Sequence, residues 1–125
     1  MQQISATTAP APAGPYSAGI VSGGFLFLAG QGPFNTESEI VGETFADQVR
    51  QTFANLEAVA AAAGTSMRNA VRIGVYLNDL SDWAEFNEVS KEFLTTPYPA
   101  RTSIQADLNG FLVEIDAILA ISSEE

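Results

Sequence analysis

Cysteine and histidine are both absent from these 125 residues. Disulfides, thiolate metal sites, cysteine nucleophiles, zinc chemistry and histidine-based triads are thereby excluded. Any chemistry falls to Asp, Glu, Tyr, Lys, Ser and Arg, with no metal or cofactor implied. Basic residues are scarce too: five Lys and Arg stand against fifteen Asp and Glu, a formal charge of −10. Such a surface repels phosphate backbones and anionic headgroups, which argues against nucleic-acid and membrane partners and reads most simply as a solubility feature. Met1 to Gly14 holds no basic residue and no long apolar run. Neither a secretory signal nor a spanning segment is expected there, and a soluble, cytoplasmic protein is the default. Nucleotide binding gains little support, because Gly30-Gln31-Gly32 is not continued by Gly-Lys and no G-x-G-x-x-G occurs.

What is present fits one domain over residues 1–125, large enough for a hydrophobic core without staples. Residues 1–15, rich in Ala, Pro, Thr and Ser, read as an extended lead-in ending at Gly14-Pro15-Tyr16. Two apolar runs, Ala18 to Val21 and Phe25 to Ala29, flank Ser22-Gly23-Gly24, a hairpin signal. Phe25-Leu26-Phe27-Leu28 is apolar on both faces and so demands cover on both. After a loop from Gly30 to Gly42, Thr44 is a plausible N-cap. Phe45, Val49, Phe53, Leu56 and Ala60 then recur at helical spacing until Gly64. Val71, Ile73, Val75 and Leu77 alternate with Arg72, Gly74 and Tyr76, predicting a strand over Asn69 to Asn78. Ser81 is expected to cap a second helix with Trp83, Phe86, Val89 and Phe93 inward, and Pro97 and Pro99 end it.

Asn109-Gly110 is the preferred pair for a two-residue type I′ turn. It predicts a closing hairpin that pairs Ile104 with Ile115 on the core face and Gln105 with Glu114 and Ser103 with Asp116 on the other. Arg101 falls one step further along that second face. The order β-β-α-β-α-β-β describes an α+β sandwich with two helices on one face of the sheet. No third helix is available for the other face, so a second copy of the chain is expected to cover it.

Arg101 carries a permanent charge on a planar fork that fits a carboxylate through two parallel hydrogen bonds. In the expected register it faces either a small anionic ligand or its diagonal neighbour Asp116. Glu114, on the order of 13 Å away along the strand, either directs water or simply bonds Gln105. Tyr16 is more often a packing aromatic than a site residue, and Gly30 is either turn punctuation or a place of close backbone approach.

The ordered set of Gly14-Pro15-Tyr16, Ala29-Gly30-Gln31, Val75-Tyr76-Leu77-Asn78-Asp79-Leu80, Phe86-Asn87, Pro99-Ala100-Arg101 and Val113-Glu114-Ile115-Asp116-Ala117 resembles the Rid family, also called YjgF, of reactive imine and enamine deaminases. The resemblance implies a chorismate-mutase-like fold with a mixed sheet, a homotrimer, and ligand clefts between subunits. It implies Arg101 as the carboxylate anchor and Glu114 as the residue that activates water. Tyr16, Gly30, Ser103 and Asn87 are the implied cleft residues. Ser103 stands where the family commonly has cysteine, and Ala29 where serine is frequent. The implied reaction converts 2-imino acids or their enamine tautomers, such as 2-aminoacrylate, to 2-keto acids and ammonia. A trimeric small-carboxylate or partner-binding module without turnover is the alternative. The acidic charge disfavours a ribonuclease, and a chorismate mutase would want more cations than Arg101 supplies.

Overall fold

The computed structural model describes residues 1–121. Six strands form one sheet: β1 (Gln2–Ile4), β2 (Gly19–Ser22), β3 (Phe25–Gln31), β4 (Ala70–Leu77), β5 (Ala100–Gln105) and β6 (Val113–Ala120). Two helices, α1 (Phe45–Ala62) and α2 (Trp83–Ser90), pack on one face of it. The strand order is β1-β2-β3-β6-β4-β5, mixed in sense because β4 and β5 run parallel while the other pairs are antiparallel. The lead-in is extended as expected. It also contributes the edge strand β1, and Ile4 and Ala9 enter the core.

Local chemistry explains the elements that positioned themselves as expected. Gly23 and Gly24 adopt φ of 63° and 84°, the backbone a tight β2–β3 turn requires. Thr44 caps α1 by accepting the Asp47 N–H at 3.1 Å, and Gly64 leaves the helix at φ 78°. The α1 stripe of Phe45, Val49, Phe53, Leu56 and Ala60 is buried against Leu26, Ile73, Val75, Ile115 and Leu119. Phe53 stacks on Phe93 at 4.6 Å between centroids and on Phe86 at 6.3 Å, joining α1 to the α2 region.

The expected closing hairpin does not form. Asn109 and Gly110 do turn the chain, with φ of 56° and 112°, but β4 lies between β5 and β6. Seven residues link the two strands, a reach of up to roughly 23 Å. That easily spans two strand spacings of about 10 Å. The β4 residues Ile73, Val75 and Leu77 are almost wholly buried, and a strand so central takes ladder partners on both sides. A dipeptide specifies its own dihedrals; it does not specify which strands become neighbours.

Other local differences have physical causes. Ser81 does not cap α2: Asp79 accepts the Ser81 N–H at 2.9 Å and starts a single 3₁₀ turn that leads into the helix. Trp83 is 44% exposed rather than inward, and Val71 is exposed where a bulge interrupts the β4–β6 ladder. The described residues leave the face of the sheet away from the helices uncovered, with Phe25 and Phe27 39% and 43% exposed.

Candidate functional site

The exchange of strand neighbours separates the residues that the expected hairpin had aligned. Arg101 is level with Ile73 and Ser103 with Val75, so both side chains stand on the helix-covered side of the edge strand β5. Glu114 is level with Tyr76, and Asp116 with Gly74, on the open face. Ile104, expected in the core, is 46% exposed on that open face. Arg101 therefore does not share a strip with Glu114 and Asp116, and the cation beside Asp116 is Arg72, at 4.0 Å. Gln105 bonds the Leu80 N–H at 2.8 Å instead of Glu114.

The Arg101 guanidinium lies 4.9 Å from the centre of the Trp83 ring and 5.3 Å from that of Phe86. Both distances suit cation–π attraction. Among the described residues no carboxylate pairs with it. Partial burial lowers its pKa from the ordinary value without removing the charge. Ser103, two residues on and on the same side, has a buried hydroxyl with no hydrogen-bond partner among the described residues. A buried hydroxyl left unpaired is costly. Asn87 is four residues beyond Trp83 on α2, hence on the same helix face, and is half-buried.

The remaining expected residues meet elsewhere. Tyr16, Gly30 and Glu114 line one pocket of about 610 Å³, together with Pro12, Phe34 and Phe111. Gly30 makes room for this placement of Glu114: a Cβ would collide with the carboxylate, which lies directly over the glycine backbone. The Tyr16 hydroxyl accepts the Ala13 N–H at 3.2 Å, a local bond that closes a turn within the lead-in. Burial first, and the neighbouring Asp116 charge second, push the Glu114 carboxyl above its ordinary value. Asp116 accepts the Gly74 N–H at 3.1 Å and the Tyr76 hydroxyl at 2.9 Å, and this bond raises the phenol's pKa.

Two groups of residues result, Arg101, Ser103 and Asn87 on one side of the sheet and Tyr16, Gly30 and Glu114 on the other. Sequence reasoning missed Trp83 as the platform under Arg101; its i, i+4 spacing from Asn87 was the available signal. It also missed Phe34 and Phe111 as pocket walls. No group of side chains among the described residues is arranged to hold a metal ion, and no helix among them is long and apolar enough to cross a membrane.

A family profile described as "Endoribonuclease L-PSP" matches residues 6–121. This chain belongs to the Rid family. A curated relative from Dermatophagoides farinae, named 2-iminobutanoate/2-iminopropanoate deaminase, is 36% identical over 94% of each chain. The crystal structure of RidA from the Antarctic bacterium Psychrobacter sp. superimposes with a TM-score of 0.90 at 40% identity, covering 97% of this chain and 100% of that one. TdcF of E. coli with bound serine gives 0.87 at 34% identity, covering 98% and 100%. Other relatives of this Rid protein carry only the general name RutC family protein.

Proposed function

We propose that this Rid chain is a hydrolytic deaminase of 2-imino acids and their enamine tautomers, acting as a homotrimer whose clefts lie between subunits. One observation carries the reading. In a chain with fifteen acidic residues, the half-buried guanidinium of Arg101 has no carboxylate partner among those described. It is oriented by aromatic rings, with the unpaired Ser103 hydroxyl beside it. A small carboxylate ligand supplies what both groups lack. The deaminase name of one relative and the bound serine of TdcF support a ligand of amino-acid size.

Within one chain Arg101 and Glu114 lie roughly 14 Å apart between backbones, on opposite faces. The uncovered face, with Phe25 and Phe27 exposed, supports a second copy packing there and bringing its own β5 edge to the Glu114 pocket. In that cleft Arg101 of one copy clamps the carboxylate and Ser103 orients the imine. Asn87 borders the clamp, and Tyr16 and the Gly30 backbone line the other wall. Glu114 directs water at the C=N carbon. The water oxygen bonds to that carbon while a proton passes to nitrogen. The carbinolamine hydroxyl proton then passes to the amino nitrogen through Glu114, the C–N bond breaks as the C=O bond forms, and ammonia leaves the 2-keto acid. A carboxyl whose pKa burial raises above its ordinary value suits such proton exchange. Ser103 in place of a thiol is compatible, because water addition needs no sulfur nucleophile. The family description also mentions a ribonuclease, but a formal charge of −10 opposes a phosphate backbone.

The deciding experiment follows the decay of 2-aminoacrylate generated in place by a pyridoxal-phosphate dehydratase. The wild type accelerates decay and Arg101→Ala reduces kcat/KM by about a hundredfold, the loss expected for a charge-assisted clamp. Decay unaffected by the wild type overturns the enzymatic reading in favour of a binding module.

A further inference from the structure

The site described so far has a partner for the carboxylate and one for the imine carbon, but none for the substituent on that carbon. We infer that Phe34 and Phe111 are specificity-determining residues that receive an apolar substrate side chain larger than methyl, a conclusion that rests on the imine-deaminase reading of this site. Their rings meet edge to face, 4.9 Å between centroids at 72°, and form one wall of the Glu114 pocket. Gly32 makes this possible. A Cβ there would stand 2.8 Å from the Phe34 ring and 3.1 Å from the Phe111 ring, too close for the pair to keep its place.

The wall is fixed from behind by buried amides of α1. Asn55, 1% exposed, donates to the carbonyls of Gly32 at 2.9 Å and Phe34 at 2.8 Å. Gln48 donates to the Gly42 carbonyl at 3.1 Å and accepts the Leu112 N–H at 3.0 Å, which anchors the chain next to Phe111. Loops held by buried hydrogen bonds present a preformed surface, so a ligand does not have to order them.

Charge and size point the same way. Among the described residues Glu114 is the only charged one lining the pocket, so an anionic side chain would find no cation in it. The imine of a three-carbon acid has six heavy atoms and fills less than about 180 Å³, taking roughly the 30 Å³ of a water for each. The pocket offers about 610 Å³ before any second copy closes over it. That difference leaves room beyond a methyl substituent for a branched or thioether chain to pack on the aromatic wall.

The test combines turnover with binding. Imines of alanine, leucine and glutamate are generated in place by an amino-acid oxidase. In parallel, calorimetry measures the affinity of pyruvate, 4-methyl-2-oxopentanoate and 2-oxoglutarate, the corresponding keto acids. The leucine-derived imine is expected to have a kcat/KM at least about tenfold above that of either other imine, in line with discrimination by a few buried methylenes. The keto acids follow the same order. Phe111→Ser and Phe34→Ser abolish the preference, while Phe111→Leu, which keeps the wall apolar, retains it; unchanged circular dichroism shows that each remains folded. Equal or better use of the alanine-derived imine, or a preference that survives both serine variants, overturns the inference. If no imine is consumed yet the keto-acid order holds and vanishes in the serine variants, the wall stands and the deaminase reading falls.

Discussion

Arg101 and Glu114 occupy opposite faces of one sheet, on strands separated by β4. No side-chain rotation lets them grip the same small molecule within a single chain. Any ligand held by both must lie between copies, and the proposed chemistry then becomes a property of the assembly.

Disrupting the uncovered face should therefore abolish activity without unfolding the chain. Phe27, on β3 and 43% exposed, is the place to do it. Phe27→Glu is expected to shift the mass seen by light scattering from three chains to one and to remove imine hydrolysis in parallel, with the circular dichroism spectrum retained. An active monomer would refute the intersubunit cleft.

Gly30→Ala separates stability from function. The added methyl meets the end of a flexible side chain, so Glu114 swings away and the backbone stays where it is. The melting temperature should change little, while kcat falls by an amount similar to that of Glu114→Gln. A large loss of stability with normal turnover would contradict this placement of the carboxylate.

Glu114 also gives a pH signature with a definite sign. Its pKa is raised in the fold by burial and by Asp116, so the folded chain binds that proton more tightly than the unfolded chain does. The fold is thus favoured below the unfolded pKa of about 4.3 and penalised as pH rises through the folded value. Glu114→Gln removes the penalty. It should melt higher than the wild type at neutral pH, with the difference closing in acid; the reverse trend in calorimetric scans would show the carboxylate to be stabilised instead. The same variant should lose turnover and keep keto-acid affinity.

Phe53 reports on the core that carries both groups of residues. It is fully buried and stacks on Phe86, one of the two rings facing the Arg101 guanidinium. Phe53→Ala should cost about 3–5 kcal/mol in denaturant titrations, as expected for a large buried aromatic.

The sequence made α1 legible because its signals are local and mutually reinforcing. Thr44, the Phe45-to-Ala60 stripe and Gly64 each act within a few residues. The β2–β3 hairpin was legible for the same reason. The closing hairpin was not, although Asn109-Gly110 adopts the backbone it favours. Strand pairing is a non-local choice, and the burial of Ile73, Val75 and Leu77 decided it by drawing β4 between β5 and β6. For the candidate site, residue identities were readable while their grouping was not. Arg101 and Glu114 were assigned one face on the strength of an alternation that holds along each strand separately. Trp83 was assigned to the core because its spacing matches Phe86, yet its ring lies at the surface against Arg101.

Trp83 is the only tryptophan in the chain, and the guanidinium lies against its indole. The proposed anion clamp thus carries its own optical probe. A carboxylate that neutralises Arg101 alters the electric field on a single fluorophore, so occupancy can be read from intrinsic emission without a label, including for ligands that never react.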